Sequence, residues 1–308
     1  MPTLSIFGAT GTQGSAVLSA VLADGAFTPR AVTRNPESDS AKALKAKGVE
    51  VVKGDLFDVE SLKEAIKGSD AVFGVTNFWD PAVFPGTPNG SGEIVQGKNL
   101  VDAAKAVGVK FFVWSGLPSS TALSNGKHSK VYHFDSKAEI WEYLKSSGVP
   151  CAAVDTGYFA DNLVGYASIL WALQKTNTGY TIPVAKYSPT STQTFTWVAN
   201  DLGPSVVALL KNYGDSTKNI LGKAFPVVTF IETYPAVANK ISAAIGKEVT
   251  FVSIDTTGLE ELDVMYAYQS DCGLYKDTPV PNPDLVALGA KFGTLEDFIS
   301  SEIVPHFS

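Results

Sequence analysis

The chain has 308 residues, of which 45% are hydrophobic and 18% are charged, a composition typical of a globular protein with one large domain or one and a half. Its net charge of −7 and isoelectric point near 5.0 exclude a generally basic surface, and no dense lysine and arginine cluster offsets that charge, so we expect no nucleic-acid partner. The two cysteines, Cys151 and Cys272, are too few for a disulfide framework and indicate a reducing compartment.

Targeting and hydropathy signals favour a cytoplasmic protein, or one that is also nuclear. Leu4 already belongs to the first predicted strand, so we expect no signal peptide. No apolar run approaches the roughly 18 residues that a membrane helix needs, so we expect no membrane association. The histidines and cysteines are too scattered for metal-ligand spacing, and we expect no metal site.

A glycine-rich turn follows the first predicted strand within residues 4–14, which read LSIFGATGTQG. Gly8 allows a sharp turn, Gly11 lets the backbone approach a diphosphate, and Gly14 lets the following helix lie close to the strand. That helix would direct its free N–H groups at the phosphates. The order of strand, turn and helix favours dinucleotide binding over a purely structural turn.

Arg34 stands at the end of the second predicted strand, residues 28–33. At this position an acidic residue binds the ribose 2′-hydroxyl of NAD, whereas an arginine pairs with the 2′-phosphate of NADP. Because no acidic residue precedes Glu37 in this segment, the sequence favours NADP, with a solvated loop arginine as the alternative.

Strands and helices alternate after Arg34. Helices are predicted at residues 38–47, 59–67, 93–107 and 133–147, and strands at residues 49–53, 71–75, 110–114 and 150–154. Residues 80–92 contain three prolines and three glycines, which predicts an irregular loop and a candidate lid. The alternation predicts the α/β class, with a Rossmann doubly wound parallel sheet.

The alternation changes after residue 155, and we predict two parts. Residues 1–155 form a dinucleotide-binding Rossmann domain, which residues 190–212 rejoin, and residues 156–308 form a smaller, discontinuous C-terminal α/β lobe. In that lobe the predicted helices are 158–175, 200–212, 233–245, 258–270 and 295–303, and the predicted strands are 179–185, 192–197, 226–228 and 248–254. The lobe would cover the strand ends and supply much of a substrate or partner pocket.

The segment around Lys137 departs from the acid–base pair of short-chain dehydrogenases, in which a tyrosine stands four residues before a lysine. Here that residue is His133, and Tyr132 is turned from it by about 100° on a helix. His133 and Lys137 share a helix face and could move protons together. Alternatively, Lys137 only holds the nicotinamide ribose and His133 packs under the loop. Ser115, at the end of the fifth strand, either polarises a substrate carbonyl or caps a turn.

Six segments together resemble the NmrA-like family, an atypical branch of the short-chain dehydrogenase/reductase superfamily. They are GATGTQG at 8–14, AVTRNP at 31–36, GDL at 54–56, VTNFWD at 75–80, HFDSKAEIWEYL at 133–144 and GYFADNL at 157–163. They occur in this order over the first 165 residues, whereas the C-terminal half resembles the family only in general character.

The resemblance implies NADP(H) as the cofactor, with Arg34 at the 2′-phosphate, Asp55 and Leu56 at the adenine and Lys137 at the nicotinamide end. From the residues alone, Asp55 could equally cap the next helix, for which Asp58 is better placed. The cofactor-binding residues that we predict are Gly8, Thr10, Gly11, Thr12, Gln13, Gly14, Arg34, Asp55, Leu56, Thr76, Asn77, Phe78, Lys137, Tyr158 and Phe159.

Three functions fit these observations. The missing tyrosine favours a redox-sensing regulator that binds NADP(H) and acts through protein contacts, as some members of the family do. Other members are NADPH-dependent reductases that work with the lysine alone, so the alternative is reduction of a small carbonyl, quinone, enone or imine. An aromatic set could line an apolar substrate pocket or pack in a core; it comprises Phe78, Trp79, Tyr158, Phe159 and Trp171. The third function is a structural partner subunit. The sequence does not specify an oligomeric state.

Overall fold

A computed structural model describes residues 1–84, 86–87, 89–165 and 173–308. The strands are β1 (Thr3–Phe7), β2 (Thr28–Thr33), β3 (Glu50–Lys53), β4 (Ala71–Gly74), β5 (Phe111–Gly116), β6 (Cys151–Thr156), β7 (Tyr158–Phe159), β8 (Gln174–Lys175), β9 (Gly179–Ala185), β10 (Thr192–Thr196), β11 (Ala224–Val227), β12 (Phe230–Thr233) and β13 (Glu248–Ile254).

The α-helices are α1 (Thr12–Asp24), α2 (Asp39–Ala46), α3 (Val59–Ile66), α4 (Ser91–Val107), α5 (Ser120–Leu123), α6 (Tyr132–Ser146), α7 (Gly203–Asn212), α8 (Tyr234–Ile245), α9 (Glu260–Cys272), α10 (Pro283–Ala287), α11 (Leu295–Phe298) and α12 (Val304–Phe307). Short 3₁₀ segments lie at Ala160–Val164 and Ser216–Lys218, and π-helical segments lie at Val198–Leu202 and Ile299–Ile303. No helix in the described ranges is long and apolar enough to cross a membrane.

The largest sheet has seven parallel strands in the order β11-β6-β5-β4-β1-β2-β3. Helices α3, α4 and α6 pack on one face, and α1 and α7 pack together on the other. This is the predicted Rossmann architecture. The chain order reverses between β1 and β4, and in such sheets the crevice beyond the carboxyl ends at the reversal is the usual place for a ligand.

Two smaller three-stranded sheets follow, with the orders β12-β10-β7 and β13-β9-β8. The predicted strand 192–197, part of the segment 190–212 that we expect to rejoin the Rossmann domain, does not enter the main sheet, because β10 pairs with β12 and β7 instead. The returning strand is β11, which extends the sheet beside β6, and α7 returns to pack on α1. The domain boundary near residue 155 stays a prediction.

The helix predicted over residues 158–175 is also wrong in the part that the structure describes. Residues Tyr158–Phe159 form β7, Ala160–Val164 form a 3₁₀ turn and Gln174–Lys175 form β8. Buried side chains in this segment pack into the aromatic core of the C-terminal half. Apolar periodicity alone does not distinguish such a buried, irregular segment from a buried helix. Trp171, predicted to line a pocket or a core, lies outside the described residues.

Candidate active site

The glycine turn leaves the first turn of α1 open to a ligand. Gly8 has a left-handed backbone with φ 62°, and its carbonyl accepts the N–H of Gly11 at 2.8 Å. A Cβ on Gly14 would overlap the Gly8 carbonyl, so only glycine permits this approach of helix and turn. No side chain caps α1. Its free N–H groups therefore face solvent beside the exposed Thr10 and Thr12, as a phosphate site requires.

Ser115 lies at this turn. Its hydroxyl donates a 2.6 Å hydrogen bond to Oε1 of Gln13, and the side chain is buried. The bond ties the end of β5 to the start of α1. Ser115 thus sits beside the predicted pyrophosphate position, and its predicted part in polarising a carbonyl stays a prediction.

Arg34 is exposed at the tip of β2, and an acidic residue does reach it. Nη1 and Nη2 of Arg34 donate to Oδ1 and Oδ2 of Asp80 at 3.3 and 2.5 Å. Asp80 comes from the loop after β4. Asp80 is 46 residues away from Arg34 in the chain, so the local sequence around Arg34 does not predict this partner.

Asp55 and Leu56 follow β3 in a tight turn. The Asp55 carboxylate accepts the N–H of Phe57 at 2.9 Å, and the Leu56 carbonyl accepts a hydrogen bond from Asn99 at 2.9 Å. Asp58, and not Asp55, caps α3 by accepting the N–H of Ser61. Both predicted adenine residues are half-buried at the carboxyl edge of the sheet.

A buried polar network surrounds Lys137. Its ammonium pairs with Glu93, whose side chain is fully buried at the start of α4. Glu93 also accepts hydrogen bonds from the hydroxyls of Thr76, at 2.7 Å, and of Ser136. A buried carboxylate needs several donors to offset its lost hydration. Lys137 is consequently fixed in one position at the carboxyl ends of β4 and β5.

His133 lies one helical turn before Lys137 and is held by Glu261 of α9. Its Nδ1 is 2.6 Å from Oε1 of Glu261, and its backbone N–H donates to the same oxygen at 2.9 Å. Both side chains are about nine-tenths buried, with exposures of 10% and 7%. Because a carboxylate only accepts, the bond places the proton on Nδ1 and leaves Nε2 as the ring nitrogen for exchange.

Aromatic rings enclose His133. The centroids of Phe78 and Trp79 lie 5.7 and 5.6 Å from the imidazole centroid, and Phe134 lies 4.9 Å away. Phe84, from the segment after β4, packs against Phe78 and Trp79 and so joins this cluster. The imidazole therefore sits in an apolar, sheltered setting next to the only carboxylate that contacts it in the described ranges.

The remaining predicted residues are spread around this centre. Asn77 is exposed at the end of β4, and its Oδ1 accepts the N–H of Trp79 at 3.1 Å. Phe159 is half-buried against the core of the large sheet. Tyr158 is 7% exposed and packs edge-on against Phe195 and Tyr234, so its ring belongs to the C-terminal core.

Three acidic residues were missed: Asp80, Glu93 and Glu261. Glu93 gave one weak signal, because it is a charged residue that precedes Gly97 and Val101 at helical spacing in the predicted helix 93–107. Asp80 and Glu261 gave none, because their partners lie 46 and 128 residues away in the chain.

Comparisons with known proteins agree with the geometry. The model of the NmrA-like family matches residues 2–280. The chain is 31% identical over 263 residues to the NmrA-like family domain-containing oxidoreductase notA of Aspergillus sp. (strain MF297-2), covering 82% of this chain and 76% of that protein.

Two solved structures share the fold. NmrA, a negative transcriptional regulator solved in complex with NADP, superposes with a TM-score of 0.79 at 18% identity, covering 99% of this chain and 97% of that one. The NADPH-dependent quinone oxidoreductase QOR2 from Escherichia coli, complexed with NADPH, gives a TM-score of 0.72 at 21% identity, covering 97% and 99%. On the family match and the identity to notA, the chain belongs to the NmrA-like family.

Proposed function

We propose that this protein is an NADPH-dependent oxidoreductase that reduces a small carbonyl, quinone, enone or imine, with His133 as the proton donor. The observation that carries the proposal is the buried contact between Nδ1 of His133 and Glu261, one helical turn from Lys137. A histidine oriented by a carboxylate is a recurring arrangement for general acid–base work.

The residues present fit the dinucleotide that the proposal requires. The open first turn of α1 and the contact of Gly14 with the Gly8 carbonyl suit a pyrophosphate. Arg34 keeps three of its five N–H groups beyond the two that bind Asp80, so it can still contact a 2′-phosphate. The bound nicotinamide would supply the hydride, and the protein would supply binding, orientation and the proton.

His133 would take up a proton at Nε2 before the reaction and deliver it from the imidazolium to the substrate as the hydride arrives, returning to the neutral form with its proton on Nδ1. Glu261 fixes the tautomer and the ring orientation by accepting from Nδ1. The rings of Phe78 and Trp79 keep water from the imidazole, which preserves the electrostatic influence of Glu261. Lys137, fixed by Glu93, would hold the nicotinamide ribose and contribute a positive charge near the reacting centre.

The relatives support a reductase. The notA protein is named an oxidoreductase, and QOR2 is a quinone oxidoreductase complexed with NADPH. QOR2 shares the fold at low identity, so it supports the general chemistry and not a particular substrate.

A redox-sensing regulator is the second candidate. It is favoured by the buried Glu93 carboxylate that already neutralises Lys137, and by the histidine in place of the tyrosine. Such a protein would bind NADP(H) and present it to a protein partner, with no turnover.

A turnover assay tests the proposal. Purified protein is incubated with NADPH and a panel of menadione, cyclohexenone, benzaldehyde and 1-pyrroline, and loss of reduced nicotinamide absorbance is followed. We expect turnover with at least one compound, and a fall in kcat of about 10²–10⁴-fold in His133→Gln with the NADPH Kd unchanged. His306→Gln, an exposed histidine in α12, is the matched control and should keep full activity.

Tight NADPH binding without turnover on the whole panel would favour the regulator. Turnover that survives His133→Gln would leave the reductase standing and remove His133 from its mechanism.

A further inference from the structure

Asp155 is a buried acid that the mechanism above does not use. It lies near the carboxyl end of β6, paired in register with Gly116 of β5 and Pro226 of β11. Only 9% of its surface is exposed. This places a carboxyl group at the edge of the sheet where Rossmann enzymes bind their ligands.

Nothing in the described part of the chain donates to the Asp155 carboxyl group, by hydrogen bond or by ion pair. Desolvation raises the pKa of Asp155 to about 7. Buried acids are usually paired, so an unpaired one at a ligand edge calls for an explanation. Protonation of the Asp155 carboxyl group, or a cation carried by a ligand, would offset the free-energy cost of burying its negative charge.

The neighbouring strand β5 leaves space for the Asp155 carboxyl group. A Cβ on Gly116 would stand 2.5 Å from Oδ1 of Asp155, so only glycine leaves that oxygen its room. The same position faces the indole of Trp114, whose Nε1 donates to the Lys137 carbonyl at 3.2 Å. The acid is therefore on the α6 side of the sheet, close to the backbone of Lys137.

A second unpaired polar group faces α6, where the ring centroid of Tyr268 lies 5.7 Å from that of Phe134. The hydroxyl of Tyr268, on α9, is fully buried and has no hydrogen-bond partner among the described residues. Burial raises the pKa of Tyr275 well above its usual range, and the neighbouring Asp155 and Tyr268 raise it further. The Tyr275 hydroxyl itself donates to the Thr156 carbonyl at 2.9 Å.

We propose that Asp155, with the Tyr268 hydroxyl, forms a substrate subsite for a protonated nitrogen, as in an amine or iminium group. This inference rests on the proposed reductase function, since it places the nitrogen of that enzyme's substrate. A protonated nitrogen donates to the carboxylate of Asp155, and the Tyr268 oxygen accepts a further N–H. A neutral ligand of the same shape would leave the carboxyl group unpaired.

Other occupants fit less well. An anion would be repelled by the carboxylate, and Lys137 already pairs with Glu93. A divalent metal would need further carboxylates or imidazoles, and no group of three such ligands is found in the described ranges.

Binding of unreactive amines tests the subsite without turnover. Titration calorimetry compares three pairs that match in shape: tetrahydroisoquinoline with isochroman, piperidine with tetrahydropyran, and benzylamine with benzyl alcohol, each with and without NADP⁺. We expect at least one amine to bind about tenfold or more tightly than its neutral partner. Asp155→Asn should abolish that preference, and Tyr268→Phe should reduce it.

Glu64→Gln, which removes an exposed acid from α3, is the charge control and should keep the preference. Gly116→Ala keeps the acid but crowds Oδ1, so it should also weaken amine binding. The proposal is overturned if no amine is preferred over its partner, or if the preference survives Asp155→Asn. Amine binding that depends on Asp155, without any NADPH turnover, would support the subsite and reject the reductase. Turnover of neutral quinones with no amine preference would support the reductase and reject the subsite.

Discussion

Arg34 and Asp80 form a two-point ion pair between the tip of β2 and the loop after β4, with the guanidinium 53% exposed and the carboxylate 13% exposed. Asp80 thus lies where the protein would contact the 2′-substituent of the ribose of a bound dinucleotide. The pair orients the guanidinium plane, and it also brings a negative charge close to an expected phosphate.

Cofactor preference should depend on Arg34. Arg34→Ala should weaken NADPH binding relative to NADH by about 1.5–3 kcal/mol, the range for a hydrogen bond to a charged group. Fluorescence titration with both reduced cofactors measures the change. An unchanged ratio of the two affinities would remove Arg34 from the 2′-phosphate site.

Asp80→Asn should act in the opposite direction. It removes the negative charge near the 2′-phosphate and leaves the arginine in place, so NADPH should bind more tightly while NADH changes little. Weaker NADPH binding in this variant would mean that orientation of Arg34 by Asp80 outweighs the charge.

Gly14→Ala should disable the phosphate turn. The new methyl group would overlap the Gly8 carbonyl, and neither backbone segment can move away without shifting α1 from β1. We expect loss of NADPH binding and a destabilisation of about 1–3 kcal/mol, typical of overpacking. Gly214→Ala is the matched control, because a Cβ there meets nothing within 4 Å. Calorimetry and urea unfolding test both; normal NADPH binding by Gly14→Ala would contradict the described turn.

The Lys137–Glu93 pair should be strongly coupled. Lys137→Met leaves a buried carboxylate without its cation, and such a loss costs about 3–5 kcal/mol in the free energy of unfolding. Glu93→Gln should likewise destabilise, whereas the double variant should regain much of the loss. Urea unfolding of the three variants gives the coupling energy, and additive effects would show that the two side chains are energetically independent.

Glu261→Gln should impair catalysis more than cofactor binding. A glutamine can present its N–H₂ group to Nδ1 and so favour the other imidazole tautomer. We expect kcat to fall by about tenfold or more while the NADPH Kd is unchanged, measured on whichever substrate the panel identifies. Glu260→Gln, which removes the exposed neighbouring partner of Lys130, is the control. Equal activity of the two variants would reject the orienting role of Glu261.

The buried acid Asp155 should make stability depend on pH. Its pKa of about 7 lies above the unfolded value near 3.8, so the folded protein binds the proton more tightly. Stability from this group is complete below about pH 4 and is lost as the pH rises through about 7. The full difference corresponds to at most about 4 kcal/mol.

Asp155→Asn should therefore stabilise the protein at pH 8 and change little at pH 4.5. Urea unfolding at the two pH values measures this, with Glu64→Gln as the control. Equal effects of Asp155→Asn at both pH values would contradict a raised pKa at Asp155.

Local signals explain which features the sequence predicts. The glycine turn, the strand Thr28–Thr33 and the helix around Lys137 follow from spacing within about 15 residues. The same local reasoning places Arg34 at a strand tip. These features are predictable because backbone conformation and helix faces are determined by near neighbours.

Long-range contacts were not predictable in the same way. Whether His133 packs or moves a proton depends on Glu261, which the fold brings from 128 residues away. Likewise, β10 has a threonine-rich pattern that suits a strand in either sheet, and only its pairing with β12 shows to which sheet it belongs. In the sequence, Asp155 is an ordinary acidic residue at the end of a predicted strand. Only the structure shows that its side chain is buried.

Transfer of deuterium tests the central claim most directly. NADPH carrying deuterium at C4 of the nicotinamide is incubated with the wild-type protein and each compound of the panel, and the products are analysed by mass spectrometry. A reductase predicts a reduced product that has gained one deuterium from one of the two C4 epimers, and loss of that product in His133→Gln. Tight binding of NADPH with no deuterium in any compound would contradict hydride transfer by this protein.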